Sequence, residues 1–585
     1  MDEDNCQKSV LNLIDEPSDV EEDDGETVQF LAKMDSSKLS YQIQIHKNSQ
    51  IKNTMKSQLI LSFITLCFCV TISTSFHDHV TPSSQGFISC LESKYNNVSG
   101  MSQLIFTPNN VSFLPIWEAR VNNHRFNKTS TPKPSIIVTP IDDAQIRATL
   151  LCTKKCGYEM RIRSGGHDYE GVSSTADVPF VILDLARMRY VNVNVAKSTA
   201  WVQGGATLGE VYYTISRNTN KLSFSGGLCP TVGIGGYIGG GGYGNLMRKY
   251  GLAADNVVDV RFMDINGKIL NRKSMGEDLF WAIRGGGSAS FGIVLAWKLR
   301  LVPVPELVTV FLVNITLEQG ATEIFYKYQH VIPNIDENLS IRVQMSSEDI
   351  VNTNKKTIRM LFYGLYQGSM DTLVSLLDEK YPELNVTREI CQEVTMVQST
   401  LFFQGYPTNT PLEALANLTI GFRLNGQNKL DYVRTPIPVS GLKSIWRKLF
   451  KSVGSTVIIQ PFGGKVNEYS ESALPFPHRA GVLYQFHQLV RFDDQTSDTT
   501  PISLQRISWL RNFNKYITPY VSKNPRGAFY NYIDFDLGVG SATYEEASVW
   551  GNRYWKKDNF KKLIRLKAKI DPHNFFHHPQ SIPVF

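Results

Sequence analysis

The sequence predicts a mixed α+β protein built from two domains and a closing C-terminal segment. Three observations carry this. From about residue 134, short apolar strands alternate with helices, set among dense glycine loops. After Pro305 the pattern changes to longer helices and alternating strands, as one large sheet requires. From about residue 526 an aromatic stretch leads into helices that run to the end. A chain of 585 residues exceeds one ordinary core, and 42% hydrophobic against 19% charged residues excludes a disordered chain.

The N-terminal end reads differently. Residues 1–54 hold 12 acids and five bases, a net of −7. The remainder holds 55 bases and 42 acids, a net of +13. A shift that sharp marks a processing or domain boundary. Met55-Lys56 precedes an apolar run from Leu59 to Ile72, then the small residues Ser73-Thr74-Ser75. A basic start, a short apolar core and a small-residue exit describe a secretory signal over 55–75, and the run is too short for a membrane span of about 20 residues. Residues 1–54 then read as an extension absent from the mature protein. A cytosolic tail on a signal anchor and a buried core helix are the alternatives. Seven Asn-x-Ser/Thr sequons begin at Asn97, Asn110, Asn127, Asn314, Asn338, Asn385 and Asn417, all beyond the signal. Of eight cysteines, Cys6, Cys67 and Cys69 precede the mature part. The other five are an odd number, so at least one thiol does something other than pair within the chain.

The elements follow in order. Residues 135–139 read as a strand ending at Pro140. Asp142 caps a helix to about Lys155, with Ile146, Leu150 and Leu151 on its inner face. Residues 160–163 and 180–185 are short strands, and Thr207 caps a helix to about Arg217. Strands 257–264 and 268–271 flank the hairpin turn Asn266-Gly267. A helix over 277–284 stops at three glycines. Beyond Pro305, helices are expected around 323–330 and 370–380, with strands at 453–461 and 481–492. The final segment reads as aromatic strands and two helices.

Three clusters carry chemistry. The first is RIRSGGHDYEG, residues 161–171, where a strand runs into Ser164-Gly165-Gly166 and then His167. Glycines there let backbone N–H groups approach an anion such as a diphosphate. The plain alternative is a tight turn that His167 merely caps. The second cluster spans 225–244, is too rich in glycine for a regular element, and embeds Cys229-Pro230. Its Gly239, Gly241 and Gly244 match Gly-x-Gly-x-x-Gly, but without the strand and long helix a dinucleotide fold needs. Cys229 is the leftover thiol, a cofactor attachment point, or a buried or disulfide-bonded cysteine. The third is FYNYIDFDLG at 529–538, which alternates like a two-faced strand and includes Tyr532.

Together with NLMRKYGLAADN at 245–256, EDLFWAIRGGG at 277–287, FPHRAG at 476–481 and DPHNFF–QSIP at 571–582, these clusters resemble the plant berberine bridge enzyme-like flavoproteins, including their cannabinoid synthase branch. The resemblance spans about 87–585. It implies a PCMH-type FAD-binding domain of two subdomains at 76–305, a substrate domain with a large antiparallel sheet at 306–525, and a berberine-bridge-type segment at 526–585 completing the FAD domain. It implies FAD attached twice, through His167 and Cys229, and a disulfide between Cys90 and Cys152, leaving Cys156 and Cys391 as free thiols. It places Arg163, Ser164, Gly165, Gly166, Thr231, Val232, Gly233, Gly235, Gly236, Gly241, Tyr243, Gly244 and Asn531 at the cofactor. It makes Tyr532 the active-site tyrosine, a base if its pKa is lowered. Tyr169, Gln485 and His487 read as its neighbours in the substrate pocket, with His487 a base, a substrate-orienting group or a strand histidine that faces the pocket passively. Val232 falls where the family controls oxygen access, and valine there implies an oxidase.

Some positions depart from the family. Gln485 stands where alkaloid- and cannabinoid-type members carry Glu, and an amide is no base. Tyr237, Ile238-Gly239 and Ser174 replace the usual His, Phe-Ser and Tyr beside the flavin, which implies a reshaped pocket. The expected activity is that of a secreted oxidase taking hydride from a carbohydrate or phenolic alcohol and making H2O2 from O2. The alternatives are an oxidative cyclase of a specialised metabolite, and a non-redox pericyclic or binding member of the family. The expected partners are a small-molecule substrate and O2, with no nucleic acid, no metal and no stable membrane span. The protein is expected as a monomer in the cell wall, with the vacuole as the other destination. Without extension and signal the body carries about +12, a charge that favours adhesion to acidic wall polysaccharides.

Overall fold

The computed structural model describes residues 82–94, 103–350, 352–353, 355–417, 424–452, 454–492, 500–540 and 542–585. The acidic segment, the signal, Cys6, Cys67, Cys69 and the sequon at Asn97 lie outside the described residues.

A first sheet of four strands has the order β1-β2-β4-β3, with β1 Ile105–Phe106, β2 Ile136–Val138, β3 Glu159–Arg163 and β4 Phe180–Asp184. β2, β4 and β3 run parallel, and every residue of β4 is buried, as a parallel strand covered on both faces requires. The connecting helix Asp143–Lys155 starts where the Asp142 carboxylate accepts from the Gln145 N–H. Ile146 and Leu150 are buried on it, whereas Leu151 is half exposed, one position off the inner stripe. A disulfide joins Cys152 on this helix to Cys90 on helix Ser84–Lys94, and Cys156 and Cys391 are free and buried.

A second sheet is antiparallel, in the order β5-β6-β10-β8-β9, from β5 Val191–Asn194, β6 Thr199–Gln203, β8 Val257–Met263, β9 Ile269–Leu270 and β10 Ile293–Arg300. A pair beside it joins β7 Leu222–Ser223 to β11 Val302–Pro303. Helix Leu208–Asn218 begins with a full capping box between Thr207 and Glu210. The helix expected over 277–284 is instead Arg272–Ala282, bent at Gly276. Asn271 and Ser274 cap it five residues earlier than the sequence suggested, because a glycine at φ +78° lets two short helices join.

Seven antiparallel strands form the third sheet, in the order β15-β12-β14-β13-β17-β18-β16. They are β12 Val308–Thr316, β13 Leu339–Asp349, β14 Lys356–Tyr366, β15 Cys391–Val394, β16 Gly426–Val433, β17 Ser455–Pro461 and β18 Tyr484–Arg491. On β18, Tyr484 and Phe486 face a core that includes Phe325 and Tyr328 of helix Ala321–Val331 and Trp446 of helix Val439–Leu449. The strand period of two therefore turns Gln485, His487 and Leu489 to the opposite face. This is the mixed α+β architecture with a large antiparallel sheet that the sequence predicts.

The C-terminal stretch differs from expectation. FYNYIDFDLG is not a strand but two 3₁₀ turns, Tyr530–Tyr532 and Phe535–Leu537. Asp534 caps the second turn from the Asp536 N–H, and Lys429 on β16 pairs with both carboxylates, which curls the chain around the sheet edge. The two helices expected after it form one 27-residue stretch, Tyr544–Ile570, bent at Lys556. Its Trp550, Tyr554, Trp555 and Leu563 pack in one core with Phe280 and Trp297 of the second sheet region.

Candidate active site

The end of β3 and the glycine cluster meet over bare backbone. A side chain on Gly233 would overlap the Gly165 nitrogen and the Ser164 Oγ, and one on Gly165 would overlap Gly233 in turn. Only glycine permits that approach. The cluster is not wholly irregular, contrary to the sequence reading: Ile234–Gly239 forms one short helix starting from Gly233. At this junction the Thr231 hydroxyl lies 2.8 Å from His167 Nε2 and 3.5 Å from Cys229 Sγ. The two side chains singled out from separate motifs, 62 residues apart, thus share one hydroxyl neighbour.

Both line a cavity of about 660 Å³, within the range of small-molecule and cofactor sites. Ser164, Gly165, Gly166, Val232, Gly233, Gly235, Gly236, Tyr243 and Asn531 line it as well, as do Tyr169, His487 and Tyr532. Five expected residues do not. Arg163 is fully buried, with its guanidinium spent on Asp184 and on the carbonyls of Trp117 and Ile116. Gly241 packs toward Phe476, and Gly244 packs on the Gly226 carbonyl. Gln485 shares the cavity-facing side of β18 but lies one step beyond the cavity, donating to the Tyr432 hydroxyl at 3.4 Å. Thr231 touches the site through His167 and Cys229 without lining it. Among the departures from the family pattern, Tyr237 lines the cavity, and its hydroxyl donates to the Tyr243 carbonyl. Ile238, Gly239 and Ser174 are buried behind the wall.

Four rings cluster in the cavity. His487 stacks on Tyr532 at 4.3 Å between ring centroids, and Tyr169 meets Tyr532 edge-on at 5.0 Å. The Tyr243 and Tyr532 hydroxyls are in direct hydrogen-bond contact. Burial raises the pKa of Tyr532 well above the ordinary phenol value, and the neighbouring tyrosines add to it. The lowered pKa expected for a tyrosine base is therefore not found, since a phenolate here loses water. The Arg342 guanidinium on β13 opposes the rise at Tyr169, Tyr243 and Tyr532. His487 is pushed down to about 3 by burial, with Arg342 second, so it is neutral at any physiological pH. Its Nε2 is buried without a partner.

Several lining groups escaped the sequence reading. Asp168 is half-buried beside His167, with its pKa raised by desolvation. Its Oδ2 accepts from the Ser173 hydroxyl, while Oδ1 has no partner. Arg161 donates to the His577 carbonyl at 2.9 Å and pairs with Glu159, which also holds His577 Nε2 at 2.8 Å. The alternation of β3 could have flagged Arg161, two positions from Arg163 on one face. Arg342 carries no local signal, because only the sheet register brings β13 here.

The residues present suit FAD. Two glycine turns offer backbone to a diphosphate, and Asp168 Oδ1 and His487 Nε2 are buried polar atoms that lack a protein partner. Family models described as "FAD binding domain" and "Berberine and berberine like" match residues 134–272 and 528–583. Tetrahydroberberine oxidase of Berberis wilsoniae is 42% identical over 538 residues, covering 91% of this chain and 99% of that one. The chain belongs to the berberine bridge enzyme-like family. It is an FAD-dependent oxidoreductase. This berberine bridge enzyme-like chain is also similar to the solved structure of Phl p 4, a grass pollen allergen with glucose dehydrogenase activity, at TM-score 0.79 and 37% identity, covering 85% of this chain and 99% of that one. A variant of that allergen with valine in place of one isoleucine, a glucose oxidase, matches with the same TM-score, identity and coverage.

Proposed function

We propose that this protein is a secreted oxidase that takes hydride from a hydroxyl-bearing substrate, a carbohydrate or phenolic alcohol, and delivers the electrons to O2 as H2O2. The observation that carries the reading is the hydroxyl pair of Tyr243 and Tyr532, set beside His487 and faced by Arg342. In this reading residues 76–305 and 526–585 hold the cofactor, and 306–525 supply the substrate face.

FAD held by His167 and Cys229 supplies the hydride acceptor, and two links keep it from being lost outside the cell. The chain's own residues do the rest. Burial holds both tyrosines protonated at rest, so the pair becomes a base only after one proton has left to solvent. The charge is then shared between two oxygens, and Arg342, which opposes the rise in both pKa values, offsets it. The pair takes the substrate's hydroxyl proton as its C–H bond breaks. Neutral His487 offers Nε2 to a second substrate hydroxyl and orients it. Arg342 and Arg491 both line the cavity, so a cationic alkaloid would meet two guanidinium groups. Val232 lines the cavity, and the Ile-to-Val change between the two pollen allergen forms supports the oxidase reading. The likeness to tetrahydroberberine oxidase keeps oxidative cyclisation of a specialised metabolite as the second reading.

The test is an H2O2 assay of the secreted protein across sugars, monolignols, prenylated phenols and alkaloids. Turnover of sugars or monolignols supports the proposal, and turnover confined to alkaloids or prenylated phenols overturns it. Elution from wall material that shifts with ionic strength would support the wall location that a charge of about +12 favours.

A further inference from the structure

Thr231 carries a hydroxyl within reach of both proposed attachment residues. It sits two residues after Cys229 and is itself buried, so its rotamer is fixed by the packed turn. The backbone reinforces the placement. The Val232 N–H donates to the Cys229 carbonyl, and Leu208 N–H donates to the Val232 carbonyl, which pins the turn to the start of helix Leu208–Asn218. On the other side the Ser164 hydroxyl donates to the Gly204 carbonyl at 2.6 Å, and Asn122 donates to the Gly165 carbonyl at 2.7 Å, holding the turn that presents His167. Two independently anchored loops thus converge on the Thr231 oxygen.

We infer that Thr231 is a positioning and proton-relay residue for attachment of the cofactor at Cys229. The inference rests on the double-attachment reading above. The inference takes Nδ1 as the linking atom, with Nε2 held 2.8 Å from the Thr231 hydroxyl. Forming that link leaves Nε2 as an acceptor. The Thr231 hydroxyl then donates to Nε2 and accepts from the Cys229 thiol, 3.5 Å away. As the sulfur bonds to the ring carbon, the thiol proton passes through the hydroxyl to the imidazole. The balance is the same for each link: an N–H or S–H and a ring-side C–H are lost, an N–C or S–C bond forms, and two electrons and two protons go to dioxygen as H2O2. The order that follows is histidine first and cysteine second.

The test compares the wild type with Thr231→Val, which keeps the shape and removes the hydroxyl, and Thr231→Ser, which restores it. After secretion and proteolysis, peptide masses report flavin on His167 alone or on both residues, and alkylation reports free Cys229. Circular dichroism reports folding. The expected result is double linkage in wild type, at least a tenfold drop in the doubly linked fraction for Thr231→Val with His167 still linked, and recovery in Thr231→Ser. Double linkage at the wild-type level and rate in folded Thr231→Val would overturn the inference. So would its loss in folded Thr231→Ser, which decides the matter if the valine variant does not fold. A wild type lacking either link would instead sink the attachment reading itself, and this inference with it.

Discussion

Removing the Tyr532 hydroxyl probes the proposed base directly. In Tyr532→Phe the ring keeps its stacking on His487 and its edge contact with Tyr169, while the contact with the Tyr243 hydroxyl is lost. A positioned general base contributes about 10²- to 10⁴-fold in rate. At about 1.4 kcal/mol per tenfold, that is about 3–5.5 kcal/mol of transition-state stabilisation. The hydroxyls work as one unit if they share the departing proton's charge. Tyr243→Phe should then cost the same range, and the double variant no more than either single one, because residues acting together are not additive. The assay is H2O2 production with the best substrate from the screen, comparing kcat and kcat/KM for wild type, both single variants and the double. KM should change little. A double variant whose loss equals the product of the single losses would refute the shared base. So would full activity in Tyr243→Phe.

Other outcomes follow from the same geometry. Gly233→Ala must push the 164–166 turn away, at about 1–3 kcal/mol for overpacking, so its Tm should fall and acid-precipitated protein should carry less flavin; an unchanged Tm and flavin content would count against the backbone contact. His577 titrates above the ordinary histidine value because Glu159 accepts from its ring, despite opposing burial. Its pairing therefore stabilises fully below about pH 6.5 and is lost as pH rises through the higher folded-state value. Wild type should lose more Tm than His577→Gln between pH 5.5 and 8.5, and parallel pH curves would contradict this. Replacing Cys90 and Cys152 together by Ala opens a loop of 62 residues, for which chain entropy gives about 4 kcal/mol. A urea titration showing a loss below about 1 kcal/mol would show that the reduced chain is already constrained there.

Sequence and structure contributed at different ranges. Helix starts at Asp142 and Thr207, the buried strand β4, and the motifs holding His167 and Cys229 were legible because each depends on neighbours within a few residues. Caps, glycine turns and strand periods are local physics, and a long ordered set of motifs fixed the family. The C-terminal aromatic stretch misled, since its alternation suits a strand while its actual shape comes from Lys429 on β16, about a hundred residues earlier. Arg163 looked like a cofactor ligand, and Asp184 on the neighbouring strand claims it. Gln485 and His487 look equivalent on a strand of period two, yet only His487 reaches the cavity. Arg342, Asp168 and the shared contact of Thr231 with His167 and Cys229 depend on register and loop convergence. The sequence by itself determined which chemistry-bearing groups the chain owns. The tertiary structure decided which of them meet, because side-chain encounters and buried electrostatics are set by contacts far apart in the chain.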